Sequence, residues 1–583
     1  MRTTTLQYLY LQKPVTTVIL VCLLSVMPWI ASGDFATKGE PREAVVAVSM
    51  LKTGNWALPG VYADEFAYKP PMAHWLMALF SLPQGVVSPF TARLPSALAY
   101  TALLALSLLF FGKKVRFQEA FIATLLLFTC VEIHRAGMTA RIDMLLTVFL
   151  FAALTQMYWW EDERELKGLP LIIPVLLSCA VLTKGPVGLI LPLFVFGVYL
   201  LILRKYSILK IFKSLAYISI ASFFIPLLWY IEAWIEGGDR FLHVVLSENF
   251  GRFFHLNTTN VHYELGHENG VWYNFVTLIA GFVPWTLLLF LSLFGLKFRK
   301  PDGLPAQLKR MGQRLLAMDK IYLFSLTAAV CVLFFYSIPS SKRSVYLMPA
   351  YPFIALFISQ FFLWLAEHRA GIVRLFAGIL AGVVSVAAFV SLLQTVGLTD
   401  IRFLAGHLSA SASVVVNDIA GAMSPNFVTL LILLLLLFSL AVLFYQMRKK
   451  INIKIVYATI FLVFCTNLFI DGVIMKEIRK QGSARPFAEE VRQTPGLNNT
   501  NIYVMNDLRT YNNLYGLNFY LGNCFRNFET EQPQTGFFLA TEKDYPAITR
   551  RYAKEYIFRL LRTSDRVIGD VRSKIVLSRF TRK

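Results

Sequence analysis

The chain has 583 residues, 56% of them hydrophobic and 14% aromatic, with a mean hydropathy of +0.57. A soluble globule is about 45–50% apolar, so this composition excludes one; apolar runs of about 20 residues, each long enough to cross a bilayer as a helix, recur along the chain. The formal net charge of +21 does not call for nucleic acid, because no basic–aromatic module is present and Lys and Arg gather in the cytoplasmic loops of membrane proteins.

Hydropathy places about thirteen spans at roughly 14–32, 91–111, 119–138, 142–160, 169–183, 186–203, 214–235, 271–296, 320–338, 345–366, 373–396, 425–446 and 453–473. The first begins after Lys13 with no small-residue cleavage site and is read as a retained helix. Basic clusters such as Lys113, Lys114 and Arg116, then Arg204 and Lys205, then Arg448, Lys449 and Lys450, mark alternate loops as cytoplasmic. The remaining loops face out, and so does the segment after the last span. The expected fold is therefore an all-α polytopic membrane protein, residues 1–474, with a long first outer loop at 33–90. A small extracytoplasmic α/β domain follows at 475–583, where "NIYVMN" and "GFFLAT" have the pattern of strands. Of the six cysteines, five fall in apolar segments, which supports neither a disulfide framework nor a metal cluster.

The unusual polar residues lie in the outer loops. In "GEPREAVVAVSMLKTG" Pro41 suits a first helical turn and Gly54 the residue after the last. The apolar flank Val45, Val48, Met50 and Leu51 is expected to lie along the membrane surface. Glu40 and Glu43, three apart, share a face of that helix; favourable placement in the first turn would account for acids there without any chemistry. In "YKPPMAHWL" Lys69 precedes two prolines, so its backbone is biased to be extended, and Pro71 can open a second helix. An ammonium beside that helix N-terminus makes a phosphate site, although a lysine reaching for the interface has the same pattern. Asp143 in "TARIDMLL" stands at the outer start of a span, where it either does chemistry or pairs with Arg141. Lys184 in "LTKGPVGL", Lys342, Arg343 and Tyr346 in "SKRSVYLMPAYP", and Arg252 in "ENFGRFF" also occupy outer turns. Cations are depleted there by the positive-inside rule, so these point to an anionic partner. The middles of the spans are almost free of charge, unlike a transporter with a site at the midplane.

Taken in order, "GEPREA", "YKPPMAHWL", "ARIDMLLT", "LTKGPVGL", "GFVPW" and "SKRSVYLMPAYP" resemble the aminoarabinose transferase and protein O-mannosyltransferase group of C-type glycosyltransferases, over about residues 30–360. The resemblance implies an inner-membrane enzyme that moves a sugar from a polyprenyl-phosphate donor to a lipid or glycan acceptor at the outer face, with inversion. A protein O-mannosyltransferase and a lipid-linked sugar flippase are the alternatives. It also implies catalytic carboxylates at Glu40 and Asp143. The lipid phosphate and sugar would be held by Lys69, Arg42, Lys184, Arg252, Lys342 and Tyr346. Two positions depart from the group: Gly39 stands where an Asp is common, and Tyr68 where an acid precedes the lysine. No cofactor is called for; a divalent metal is left open, and the residue pattern supplies no ligand set for it.

Overall fold

A computed structural model describes residues 13–248, 268–295, 310, 312–315, 317–339, 341–407, 410–506 and 511–583. Among them, eight helices are long and apolar enough to cross a membrane, or up to ten if each of two bent pairs is one span. The bent pairs are Phe117–Thr129 with Val131–Gly137, at 65°, and Tyr273–Gly281 with Trp285–Gly295, at 102°. Three shorter apolar helices, Pro14–Ile30, Ile172–Lys184 and Val187–Leu203, occupy other stretches expected to span. The helix Ile208–Leu246 is the least covered, with 22% of its apolar window buried, whereas Ile142–Arg164 has 78% buried. The Ile142–Arg164 helix therefore runs inside the bundle, and its outer end delivers Asp143 to a shielded place.

The first outer loop is built into the molecule rather than laid on a membrane. The helix Gly39–Thr53 ends where Gly54 adopts the left-handed conformation, φ 73°, and donates its N–H to Met50 O. Contrary to the expectation of a surface helix, Ala44, Val45, Val46, Ala47 and Met50 are all buried. They pack with Met77 and Ala78 of the Met72–Ser81 helix on one side and Phe519 on the other. A helix apolar on most of its circumference is a core helix, not an interfacial one. Between the two helices, strands β1 (Gly60–Tyr62) and β2 (Glu65–Phe66) form a small antiparallel hairpin.

The C-terminal region carries a five-stranded sheet. With β3 (Ile502–Val504), β4 (Arg526–Asn527), β5 (Thr535–Thr541), β6 (Tyr556–Thr563) and β7 (Ile575–Arg582), the strand order is β4-β3-β5-β7-β6. β3 is parallel to both neighbours, and β7 is antiparallel to both of its own. One face holds Tyr503, Phe528, Phe538, Tyr556 and Phe580. The other packs Phe537, Leu539, Ile575 and Leu577 with Phe487, Val491 and Tyr62 of the first outer loop.

That sheet is fastened to the outer loop by polar bonds as well. Asn506 and Asn527 donate to the Asp64 carboxylate at 2.7 and 3.0 Å, and Lys52 Nζ donates to the carbonyls of Gly522 and Asn523, each at 3.2 Å. Tyr520 Oη accepts the Phe35 N–H at 3.0 Å, and the Phe35 and Phe519 rings meet edge to face. The C-terminal sheet and the first outer loop thus share one core.

Candidate functional site

Three acids, Glu40, Glu43 and Asp143, have three different surroundings. Glu40 lies in the first turn of the Gly39–Thr53 helix and is 2% exposed. It accepts from Arg93 Nε at 2.7 Å, from Arg93 Nη2 at 3.3 Å and from the Ala140 N–H at 3.1 Å. Arg93 is itself fully buried and donates onward to the carbonyls of Ile30, Gly33 and Asp34. Arg479 reaches the same knot through Trp29 O at 3.0 Å. Burial raises the Glu40 carboxyl, and the charges of Arg93 and Arg479 outweigh that and hold it below the usual range. The expected base is thus enclosed in a buried pair that ties the end of the Pro14–Ile30 helix to the first loop. Both of its oxygens accept from Arg93, and Oε1 also from the Ala140 N–H.

Glu43, one turn on, is the centre of a different cluster. Its Oε1 accepts from Lys69 Nζ at 2.5 Å and Arg42 Nη2 at 2.8 Å, and its Oε2 meets His74 Nε2 at 2.9 Å. The Lys69 side chain keeps 24% of its surface and Arg42 31%, while Glu43 beneath them keeps 6%. The cations thus face outward over a buried acid. Burial pushes the Lys69 ammonium down to about 8, the Arg42 charge adds to this, and Glu43 opposes it. Glu43 is held well below the usual glutamate range: burial raises it, and Lys69, Arg42 and His74 together prevail. An ammonium has three donors, and only the bond to Glu43 is made among the described residues. Two are left for an anion.

Asp143 continues the chain of charge. It acts on Lys69 electrostatically and accepts from Lys184 Nζ at 2.5 Å. The direct ion pair of Asp143 is thus with Lys184 and not with Arg141, the alternative considered from sequence. Lys184, at the last residue of its helix, lies 4.0 Å over the Tyr346 ring, and Tyr346 is 5.4 Å from the Tyr336 ring. The Asp143 side chain keeps 12% of its surface, against 3% for Glu40. Arg141 goes elsewhere: its guanidinium fills the space beside Gly39, where an added Cβ would sit 2.7 Å from Nη2. Any side chain at position 39 would have to displace that arginine.

Two contact groups result, Arg42 and Lys69 over Glu43 and Asp143 with Lys184 and Tyr346, and the charge of Asp143 is felt at Lys69. Lys342 departs from its expected place. It is 4% exposed, its Nζ donates to Asn269 O at 3.2 Å, and its own carbonyl accepts from Asn269 Nδ2 at 3.1 Å, so it serves to pin that segment. Arg252 lies outside the described residues. Sequence reading had not singled out Arg93 or His74, nor given Glu43 a role. Glu43 was legible as a second acid on the helix face of Glu40, but its partners come from residues 69 and 74 and had no local signal. Among the described residues no group of three or more His, Cys, Asp and Glu comes together.

Residues 68–230, which contain Lys69, Asp143 and Lys184, match the family model of dolichyl-phosphate-mannose-protein mannosyltransferases. The chain is 25% identical over 326 residues to the undecaprenyl phosphate-alpha-4-amino-4-deoxy-L-arabinose arabinosyl transferase of Aeromonas salmonicida, covering 55% of this chain and 54% of the relative. It is 23% identical over 388 residues to the enzyme of the same name from Shewanella sediminis, covering 65% and 64%. The matches thus span 54% to 64% of these relatives, less than two thirds of their length. Over nearly its whole length the chain superposes on the crystal structure of ArnT from Cupriavidus metallidurans bound to undecaprenyl phosphate, with a TM-score of 0.67, 98% of both chains covered and 18% identity. The fold is shared. It extends to the ArnT apo state, at a TM-score of 0.65 and 17% identity. The contacts described above therefore sit on the fold of those two crystal structures.

Proposed function

We propose that the protein is an integral-membrane glycosyltransferase that moves a sugar from a polyprenyl-phosphate donor to a lipid or glycan acceptor. The reaction is placed at the outer face of a bacterial inner membrane, with inversion at the anomeric carbon. The observation that carries this reading is the pair of groups Arg42–Lys69 over Glu43 and Asp143–Lys184–Tyr346, electrostatically coupled, which offers partly exposed cations and a partly open carboxylate. In this reading the chain crosses thirteen times, each bent pair and each shorter apolar helix counting once, and residues 475–583 form a periplasmic domain over the site.

Lys69 and Arg42 take the donor phosphate with the N–H groups that Glu43 leaves free, and Glu43 holds both cations in position from below. Asp143, rather than the enclosed Glu40, accepts the proton of the acceptor hydroxyl. The hydroxyl oxygen bonds to the anomeric carbon as the bond from that carbon to the phosphate oxygen breaks. The polyprenyl phosphate leaves with the electron pair, and its charge stays on Lys69 and Arg42. Lys184 orients the Asp143 carboxylate through their ion pair and is itself steadied by the Tyr346 ring.

Transfer assayed in proteoliposomes with a defined polyprenyl-phosphate sugar tests the reading. Asp143→Asn should lower turnover by about 10²–10⁴, the range for general base catalysis, at unchanged expression. Near-normal turnover by that variant sinks the assignment. A flippase would instead carry labelled donor between leaflets without consuming it. Mass spectrometry of envelope lipids with and without the gene identifies the sugar from the missing mass and the acceptor from the molecule that lost it.

A further inference from the structure

The hairpin β6–β7, residues 556–583, carries eight Lys and Arg against two Asp. Its cross-strand register sets Arg559 directly opposite Arg579. Like charges opposed on one sheet face repel, so an anion lying over the pair would be favoured there. Neither side chain, nor that of Arg562, has a hydrogen bond or ion pair among the described residues, and all three are exposed.

The register also says which face they occupy. Arg579 pairs with Phe537, and Arg562 pairs with Leu577. Phe537 and Leu577 belong to the core that packs on the first outer loop. This is the side of the sheet turned toward the first outer loop. Under β3 and β5 that side is covered by protein. Under β6, an edge strand, it is bare and presents Ile557, 59% exposed, among Arg559, Arg562 and Arg579.

The turn of the same hairpin marks its height. The Gly569 N–H donates to Gly482 O at 2.9 Å, just past the last residues of the Lys476–Gln481 helix. A Cβ at Gly569 would sit 2.4 Å from Ala36 O, six residues after the end of the Pro14–Ile30 helix. The turn thus rests on the ends of two membrane segments, with Arg566, Val567 and Arg572 exposed around it.

We propose that this face of the β6–β7 hairpin is a docking surface for anionic phospholipid headgroups of the membrane in which the helices sit. The arginines meet lipid phosphates and Ile557 and Val567 enter the interface, which presses the C-terminal sheet down over the first outer loop. The inference goes beyond the transfer reaction and stands without it. Charge complementarity selects this occupant: juxtamembrane Lys and Arg are drawn to anionic headgroups within a Debye length.

The test is amide hydrogen exchange of the full chain in vesicles of phosphatidylcholine alone or doped with phosphatidylglycerol. Exchange in β6 should slow several-fold with the anionic lipid, while the opposite edge strand, β4, stays unchanged. High salt should reverse the effect, and inorganic phosphate at the same ionic strength should do no more than salt. The triple variant Arg559→Gln, Arg562→Gln, Arg579→Gln should lose the lipid-dependent slowing, and the triple Lys variant should keep it. Equal exchange of β6 in both lipids overturns the proposal. So does slowing that is the same in the Gln and wild-type proteins, or a change shared equally with β4.

Discussion

Glu40 and Glu43 sit on one helix, three residues apart, yet belong to two regions that use the same chemistry to opposite ends. In the knot around Glu40, the carboxylate and its arginine are both enclosed and every strong donor is spent on a carboxylate or a backbone carbonyl. In the cluster around Glu43, the acid is enclosed but the cations above it keep part of their surface. A buried, fully paired ion pair contributes to architecture, and removing one partner leaves an uncompensated charge. A pair whose cation remains open can exchange its partner for a ligand. Burial of the cation, not the presence of an acid, separates the two.

The largest expected effect tests the proposed base. Asp143→Asn should cost about 10²–10⁴ in turnover with little change in thermal stability, and Glu40→Gln should do the reverse. Loss of the Glu40 charge strands Arg93 in the core, at a cost of about 3–5 kcal/mol, read as a lowered melting temperature in detergent. If both variants instead fold normally and both lose turnover, the distinction between the two regions fails.

Lys69→Ala should weaken donor binding by about 10–100-fold, as expected for loss of a charge-assisted contact worth about 1.5–3 kcal/mol. Acceptor binding should be untouched, and isothermal titration with each substrate separates the two. Wild-type donor affinity should fall as pH rises through about 8, where the buried Lys69 ammonium loses its proton. Lys69→Arg should abolish that alkaline fall, because a guanidinium stays protonated there.

Glu43→Gln sharpens the comparison further. Glu43 is the group that raises Lys69 against burial and the Arg42 charge, so the variant's alkaline fall should begin at lower pH. For stability the sign is the usual one for a carboxylate held low. The Glu43 contribution is complete above its unfolded pKa, about 4.3, and is lost as pH falls through the depressed folded value; acid titration of wild type against Glu43→Gln measures it. The smallest effect is expected from Tyr346→Ala, which removes a cation–π contact worth about 0.5–2 kcal/mol and should show as a modest loss of turnover.

Much of the frame was legible along the chain. Among the described residues the apolar runs are helical, because length and hydropathy are local properties, but two of them are broken into bent pairs and three are short. "NIYVMN" and "GFFLAT" became β3 and β5. The β6–β7 hairpin had no such signal: "YIFRLLRT" has an edge strand's exposed arginines and a bulge between Leu560 and Arg562, which breaks the alternation. The apolar flank of the Gly39–Thr53 helix pointed to lipid, and the structure packs it against Phe519 instead, a partner 466 residues beyond Thr53.

By itself the sequence determined that the chain lies in a membrane, roughly where its apolar helices fall, and which loops carry the unusual charges. These follow from hydropathy and charge, which each segment carries alone. Only the tertiary structure decided which of two neighbouring acids is sealed by Arg93 and which supports Lys69, and that Lys184 rather than Arg141 holds Asp143. Such choices rest on distances between residues far apart in the chain, and on which side chains burial shuts away from water.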